Sequence, residues 1–388
     1  MSADPQSAAA REARPAAAPA GAARIPLSVP DLRGREKAYL AACVDDNWIS
    51  SAGPRIAEFE RAIARAAGAA HGVALVNGTC ALELALRVAG VGPGMAVIVP
   101  DWTFVATANA VRHIGAEPHF VDVTAESWTL DPALATEALA ASDRPVGAIV
   151  PVHALGHPAD LDPIRALADA HGLPVVEDAA GAIGARYKGR PVGAGAAPAV
   201  MFSFNGNKLL TAGAGGALVT DDAAFAERAR LLSAQARRGD AYRHEELAFN
   251  YRMSNVNAAI GLAQAERLDE MTAARRATAA AYRGALDGSR RLAFMPRADW
   301  AEPNGWMSVV HCADAETAAA LIEAMDAAGI DARPFWEPLS EQPAYRDSPR
   351  TLAGVAARFS GRTVALPCSS SLAAADRARV IAVLERFR

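Results

Sequence analysis

Long apolar runs, cysteine pairs and an excess of positive charge are all absent from this sequence of 388 residues. No apolar run approaches the roughly 18 residues that a membrane span needs, so we expect no membrane-spanning segment. The formal net charge is -4, so no basic field predicts binding to nucleic acid or to an anionic membrane. The four cysteines are scattered and form no CxxC pair. This pattern predicts neither a metal site nor a disulfide framework, and it indicates thiols in a reducing compartment, the cytoplasm.

The composition is that of an ordinary globular protein, with 52% hydrophobic and 21% charged residues, and the length allows two domains. Residues 1–24 are rich in Ala, Pro, Ser and Arg and lack a long apolar core, so we predict a disordered tail there. Near residue 256, the alternation of strand and helix patterns gives way to a long alanine-rich helical pattern. We therefore predict a large domain over residues 25–256 and a smaller C-terminal α/β domain over residues 257–388.

Short apolar runs alternate with helical patterns over residues 73–204, which predicts an α/β fold with a parallel sheet and helices on both faces. The predicted strands are residues 73–76, 97–100, 119–123, 147–152, 174–178, 200–204 and a return strand at 217–220. In the C-terminal part we predict one long helix over 257–286, strands at 306–311 and 363–366, and helices over 316–328 and 373–387. Ligands of such sheets bind beyond the carboxyl ends of the strands.

One lysine follows the strand at residues 200–204. The polar turn SFNGNK at 203–208 ends in Lys208, and a glycine-rich segment follows it. A lysine in an apolar pocket has a lowered pKa, and a neutral amine can attack a carbonyl carbon to form a Schiff base. The alternative is a lysine on a solvated turn.

Two other strand ends carry candidate ligands. Gly78 and Thr79 lie between a strand and a helix, where the free N–H groups of the helix could bind a phosphate, although an ordinary helix N-cap is the alternative. Asp178 ends the strand at 174–178, where its carboxylate could keep a pyridine nitrogen protonated or could cap the following segment.

An aromatic residue follows the strand at 97–100. Phe104 could stack on a cofactor ring, Trp102 competes for that role, and either ring could belong to the core. In chain order, the glycine and threonine, the aromatic residue, the aspartate and the lysine have the layout of a fold-type I enzyme that uses pyridoxal 5'-phosphate (PLP). No GxGxxG follows the first strand, which argues against a dinucleotide-binding dehydrogenase.

Residues 25–388 resemble the DegT/DnrJ/StrS sugar aminotransferases, a family of PLP-dependent enzymes of fold type I. The resemblance lies in NGTCAL at 77–82, PDWTFVA at 100–106, PVHALG at 151–156, EDAA at 177–180, SFNGNK at 203–208 and FNYRM at 249–253. FNGNK at 204–208, ANAV at 108–111 and PHFVD at 118–122 are similar to the LegC-type branch, which acts on nucleotide-linked 4-keto-6-deoxy hexoses. The resemblance implies a mostly parallel seven-stranded sheet between helices.

The resemblance also implies a PLP site. Lys208 would bond covalently to the cofactor and later shuttle a proton. Asp178 would pair with the pyridinium nitrogen, and Phe104 would stack on the ring. The implied phosphate ligands are Gly78, Thr79, Ser203 and, from the neighbouring subunit of a homodimer, Asn250. The active sites would therefore be shared between the subunits.

The resemblance implies the substrate-binding residues less directly than it implies the PLP site. The resemblance places His153 and Arg252 near the substrate, and it makes Arg333 a candidate for binding the sugar nucleotide or the donor carboxylate; a surface arginine on a turn is the alternative. The sequence departs from many relatives at Gly181, where they carry Gln or His, and at Ser340, where they often carry His.

The implied reaction moves an amino group from an amino-acid donor, L-glutamate, to the keto carbon of a nucleotide-linked 4-keto-6-deoxy sugar. The product would feed a surface glycan or a nonulosonic acid. One alternative acceptor is an eight- or nine-carbon keto sugar acid. A PLP- or PMP-dependent sugar dehydratase of the same fold is a second alternative, although such relatives often replace the lysine with histidine. A non-enzymatic regulator or assembly factor is a third, and Lys208 and Asp178 argue against it.

Overall fold

The computed structural model describes residues 23–195, 198–239, 242–244 and 246–388. The predicted tail therefore lies outside the described residues except for residues 23 and 24. Arg24 is bound to the C-terminal region by ion pairs of 2.6 Å to Asp326 and to Asp331. The division into two domains at residue 256 stays a prediction.

The helices and strands follow one another as the alternating pattern predicts. The helices are α1 (Glu36–Asp45), α2 (Pro54–Ala67), α3 (Gly78–Val88), α4 (Ala106–His113), α5 (Pro132–Ala141), α6 (Leu161–His171), α7 (Ala223–Ser233), α8 (Asn255–Ala265), α9 (Leu268–Ala285), α10 (Ala315–Ala327) and α11 (Ala374–Glu385). The strands are β1 (His71–Leu75), β2 (Ala96–Pro100), β3 (Glu117–Val121), β4 (Val146–Ile149), β5 (Val175–Asp178), β6 (Arg186–Tyr187), β7 (Arg190–Pro191), β8 (Pro198–Ser203), β9 (Gly216–Thr220), β10 (Leu292–Phe294), β11 (Ala301–Glu302), β12 (Ser308–Cys312), β13 (Arg333–Pro334), β14 (Arg350–Thr351) and β15 (Thr363–Leu366).

The seven predicted strands form one sheet, in the order β1-β9-β8-β5-β4-β2-β3, and the two-residue strand β14 extends it at the β3 edge. The pairs from β8 to β14 are parallel, whereas β9 is antiparallel to both β1 and β8. Every residue of β2 and β3 is buried, as expected for strands that are covered by helices on both faces. The predicted α/β fold with a mostly parallel sheet is confirmed.

A second sheet of four antiparallel strands, β10-β12-β15-β13, lies in the C-terminal part of the chain. Its core includes Leu321 and Met325 of α10 and Val380 and Leu384 of α11, all of which are fully buried. The short strand β11 pairs instead with β6, so residues from both halves of the sequence share a third, three-stranded sheet.

The predicted long helix over 257–286 is wrong in one respect, because it is two helices, α8 and α9, separated at residues 266 and 267. Neither residue is a glycine or a proline, so no local signal marks the break. The guanidinium of Arg267 instead reaches the buried carboxylate of Asp31 at 3.2 Å, a contact across more than 200 residues of sequence. No helix in the described parts of the chain is both long enough and apolar enough to span a bilayer.

Candidate active site

A cavity of about 340 Å³ lies at the carboxyl ends of β5 and β8 and at the start of α3, where ligands of such sheets are expected. Seven of the ten predicted site residues line it: Gly78, Thr79, Phe104, His153, Asp178, Ser203 and Lys208. Residues from five separate stretches of sequence therefore converge on one small volume.

Lys208 faces the cavity from the turn that follows β8, and the turn is closed by a hydrogen bond of 3.0 Å from its backbone N–H to the carbonyl of Asn205. Within the described part of the chain its Nζ makes no hydrogen bond or ion pair, and it lies 3.7 Å from the centre of the Trp306 ring. Burial lowers the pKa of Lys208 to about 8, although the negative charge of Asp178 acts in the opposite direction. A substantial neutral fraction is therefore present near pH 8, and this is the form that attacks carbonyl carbons.

The other two lysines of the sequence have different environments. Lys37 is exposed on α1. Lys188 forms an ion pair of 2.6 Å with Asp162, and the hydrogen bond from its ammonium to that carboxylate raises the pKa of Lys188. Of the three lysines, Lys208 is thus the one that faces the cavity, and burial there lowers its pKa.

Asp178 is the last residue of β5 and is almost fully buried. One carboxylate oxygen accepts a hydrogen bond of 2.7 Å from Thr107 Oγ1, and the other accepts one of 3.0 Å from the N–H of Ala180. Its backbone is fixed as well, because its N–H donates to the carbonyl of Pro151 and its carbonyl accepts from the N–H of His153. A carboxylate can accept about four hydrogen bonds, so capacity remains for a donor in the cavity.

The start of α3 forms a narrow cradle beside Ser203. Asn77 caps the helix by accepting a hydrogen bond of 2.8 Å from the N–H of Cys80, so the predicted N-cap is present. A Cβ atom on Gly78 would lie 2.8 Å from Cβ and 3.2 Å from Oγ of Ser203, and only glycine leaves this space open. The free N–H groups of the first helical turn and the Ser203 hydroxyl therefore suit a phosphate group.

The two candidate aromatic residues occupy different positions. Phe104 is 56% exposed and lines the cavity. Trp102 is fully buried, donates a hydrogen bond of 3.0 Å to the carbonyl of Trp336, and packs edge-on against Trp128. Trp102 therefore belongs to the core, and Phe104 is the ring that a ligand can reach.

His153 borders the cavity, but both of its ring nitrogens are engaged elsewhere. Its Nδ1 accepts a hydrogen bond of 3.0 Å from the N–H of Ala159, so Nε2 carries the proton and donates to Glu177 at 3.1 Å. Burial raises the pKa of Glu177, but His153 and Arg165 outweigh this effect and lower it overall. His153 thus holds the side chain of Glu177, the residue before Asp178, and neither of its ring nitrogens is free to bind a ligand in the cavity.

Three predicted site residues lie outside this cavity. Arg252 forms an ion pair of 2.8 Å with Glu60, and Arg333 is exposed on β13. Asn250 is also exposed, and its backbone pairs with Ala234. Its contact with the phosphate site of a neighbouring subunit stays a prediction of the resemblance.

Sequence reasoning missed Trp306 and Thr107. The Trp306 ring lies against the backbone of Gly181, where an added Cβ would be 2.0 Å from its Cε3 atom. Its Nε1 donates a hydrogen bond of 3.0 Å to the carbonyl of Asn207, next to Lys208. The absence of a side chain at residue 181 was the available signal, since the indole occupies the space that a larger residue there would need.

Comparison with known proteins identifies the family. The model of the DegT/DnrJ/EryC1/StrS aminotransferase family matches residues 30–385. The chain is 39% identical over 367 residues to the GDP-perosamine synthase of Caulobacter vibrioides, which covers 94% of this chain and 98% of the relative.

Solved structures agree with this match. The structure of DesV from S. venezuelae, in complex with a ketimine intermediate, superimposes with a TM-score of 0.84 at 35% identity, covering 93% of this chain and 98% of DesV. DesI, solved in the presence of its TDP-sugar product, gives a TM-score of 0.83 at 32% identity, covering 94% of each chain. The chain belongs to the DegT/DnrJ/EryC1/StrS aminotransferase family and is a PLP-dependent sugar aminotransferase.

Proposed function

We propose that the protein transfers an amino group from L-glutamate to the keto carbon of a nucleotide-linked 4-keto-6-deoxy sugar, for a surface glycan or a nonulosonic acid. The observation that carries the proposal is the convergence of Lys208, Asp178 and the Gly78–Ser203 cradle on one cavity. The names of two relatives support this substrate class, since one is a GDP-perosamine synthase and the other was solved with a TDP-sugar product.

The cavity residues fit PLP in chemistry and position. Lys208 would hold the cofactor's aldehyde carbon, Asp178 its ring nitrogen, and Phe104 the face of its ring. Gly78, Thr79 and Ser203 would bind its phosphate. Bound there, PLP supplies an electron sink that acidifies the α-hydrogen of the amino donor.

The residues of this chain supply the remaining steps. Once released from the cofactor, the Lys208 amine would act as the base that moves the proton, because its lowered pKa leaves it neutral often enough near pH 8. Thr107 would keep the Asp178 carboxylate in place through its hydrogen bond of 2.7 Å. Trp306 would fix the turn before Lys208 and give the free ammonium an aromatic face to lie on.

The proposal includes a homodimer in which Asn250 reaches the phosphate site of the neighbouring subunit. It also keeps Arg252 and Arg333 as candidate residues for substrate binding, although neither lines the Lys208 cavity. A cytoplasmic location belongs to the same proposal and is supported by four cysteines that are all free thiols.

The test is a panel of acceptors offered to the PLP-loaded enzyme with L-glutamate. The panel contains GDP-, UDP- and TDP-linked 4-keto-6-deoxy sugars and an eight-carbon keto sugar acid. We expect mass spectrometry to detect an amino sugar and an equal amount of 2-oxoglutarate with at least one nucleotide-linked ketosugar. Amination of the keto acid alone would contradict the proposed substrate class, and a dehydrated product without an amine would identify a dehydratase.

A further inference from the structure

A second cavity, of about 630 Å³, lies between α9 and the segment of residues 294–307. It is separated from the Lys208 cavity by residues 305–307, because Met307 lines both cavities while Trp306 lines only the first. Gly305 fixes this wall against α9. Its φ angle is +75°, and a Cβ atom there would lie 2.9 Å from the backbone carbon of Arg275.

Three arginines converge on this second cavity: Arg276, Arg283 and Arg297. Burial lowers the pKa of Arg276 and of Arg283, and the nearby charge of Arg297 lowers both further. Among the described residues none of the three forms an ion pair. Arg276 is half-buried, whereas Arg283 and Arg297 are exposed at the mouth of the cavity. By comparison, the partly buried Arg165 forms an ion pair of 2.7 Å with Glu177. Within the described parts of the chain, no carboxylate therefore lies in direct ion-pair contact with these three guanidinium groups, although Glu302 and Asp287 line the same cavity.

Two of these guanidinium groups are held in fixed orientations. Arg276 donates hydrogen bonds to the carbonyls of Pro303, Gly184 and Glu302 at 2.8–3.3 Å. Arg283 donates to the carbonyl of Met295 at 2.8 Å and lies 5.0 Å from the Phe294 ring. A guanidinium carries five N–H donors, so Arg283 keeps donors for a ligand, and prior orientation reduces the entropy lost on binding.

Carboxylates offset only part of the positive charge of the three arginines. Glu302 and Asp287 also line the cavity, and Glu302 acts on the pKa of Arg276 in the direction opposite to Arg297. The remaining wall is apolar and comprises Ala279, Ala280, Phe294, Met295, Pro296 and Met307. The site thus combines bidentate donors for an oxyanion with an apolar surface, and its volume lies in the range of small-ligand pockets, roughly 300–1,000 Å³.

We propose that this cavity binds a small phosphorylated ligand with an apolar or aromatic body, of the nucleoside phosphate class, at a site separate from Lys208. The phosphate would lie between Arg283 and Arg297, and the body would contact Met295 and Met307. The inference rests on the cavity itself and does not depend on the proposed amino transfer.

Binding can be located with phenylglyoxal, which modifies arginines that are not engaged. The PLP-loaded enzyme is labelled with and without ADP or inorganic pyrophosphate, and peptides are quantified by mass spectrometry. We expect ADP to protect Arg283 and Arg297 at least about 10-fold, the effect of a charge-assisted hydrogen bond. Pyrophosphate, which lacks the apolar body, should protect them more weakly. Arg290, an exposed arginine outside the cavity, serves as the internal control.

Charge reversal gives the second arm of the test. Arg297 is exposed and makes no hydrogen bond to described residues, so R297E leaves the packing intact, and R290E is its matched control. By calorimetry, R297E should weaken ADP binding at this site about 10-fold or more, whereas R290E should behave as the wild type. Equal protection of Arg290 and Arg297, or unchanged ADP binding in R297E, would overturn the proposal.

Discussion

The contact between Gly181 and Trp306 allows a quantitative prediction for the substitution Gly181→Ala. The new methyl group would lie 2.0 Å from Cε3 and 2.4 Å from Cζ3 of the indole. Carbon atoms in contact are normally about 3.5–4.0 Å apart, so the ring must move by about 1.5 Å. Overpacking of this kind costs about 1–3 kcal/mol, and loss of the Trp306–Asn207 hydrogen bond costs about 1 kcal/mol more. We therefore expect G181A to lower the free energy of unfolding by about 2–4 kcal/mol.

The assay is denaturant unfolding of the cofactor-free protein at one fixed concentration, with Trp306→Leu as the second member of a double-mutant cycle. Leucine removes the ring that the methyl group would strike, so in the W306L background the added methyl group should cost less than about 1 kcal/mol. The expected coupling energy is thus about 2 kcal/mol. Stability of G181A within about 0.5 kcal/mol of the wild type, or additive effects in the double variant, would refute the reasoning.

Other predictions concern the cavity chemistry. In the cofactor-free enzyme, the rate of amine modification at Lys208 should rise with pH and reach half its plateau near pH 8, the value of its lowered pKa; a midpoint near 10.5 would contradict this. Asp178→Asn removes the charge that raises the pKa of Lys208, so the midpoint should move below 8 in the same titration. Gly78→Ala places a methyl group 2.8 Å from Cβ of Ser203 and should weaken PLP binding at least about 10-fold by equilibrium dialysis, whereas unchanged affinity would argue against the phosphate cradle. Mixing inactive Lys208→Ala and Asn250→Ala proteins should restore activity, because one site of each mixed dimer is then intact; no recovery after verified subunit exchange would contradict a shared site.

Much of the large sheet could be predicted because its seven strands are separate apolar runs, most of which are followed by a helical pattern. The edge strand β14 could not be predicted, since two residues are too few to show the alternation of apolar and polar residues that marks a strand. The break between α8 and α9 could not be predicted from the sequence either. It coincides with a contact from Arg267 to Asp31, and no residue near the break prefers to end a helix.

The candidate site was predictable where a residue sits at a strand end or a helix start. Asp178, Ser203 and Gly78 are such residues, and topology alone brings them together. Trp306 could not be predicted in this way. It precedes β12 in the C-terminal region, and it reaches the cavity through the packing of that region on the large sheet. For His153, the resemblance predicts a position near the substrate, but only the structure reveals that Ala159 and Glu177 occupy its ring nitrogens.

The central claim is that the cofactor is bound covalently by Lys208, and the sequence makes its test simple because it contains only three lysines, Lys37, Lys188 and Lys208. The PLP-loaded enzyme is reduced with borohydride, digested and analysed by mass spectrometry. We predict one modified peptide, which carries a reduced pyridoxyl phosphate on Lys208, and no modification in K208A. Modification of Lys37 or Lys188 in its place, or a wild-type protein that remains unmodified after incubation with PLP, would contradict the account.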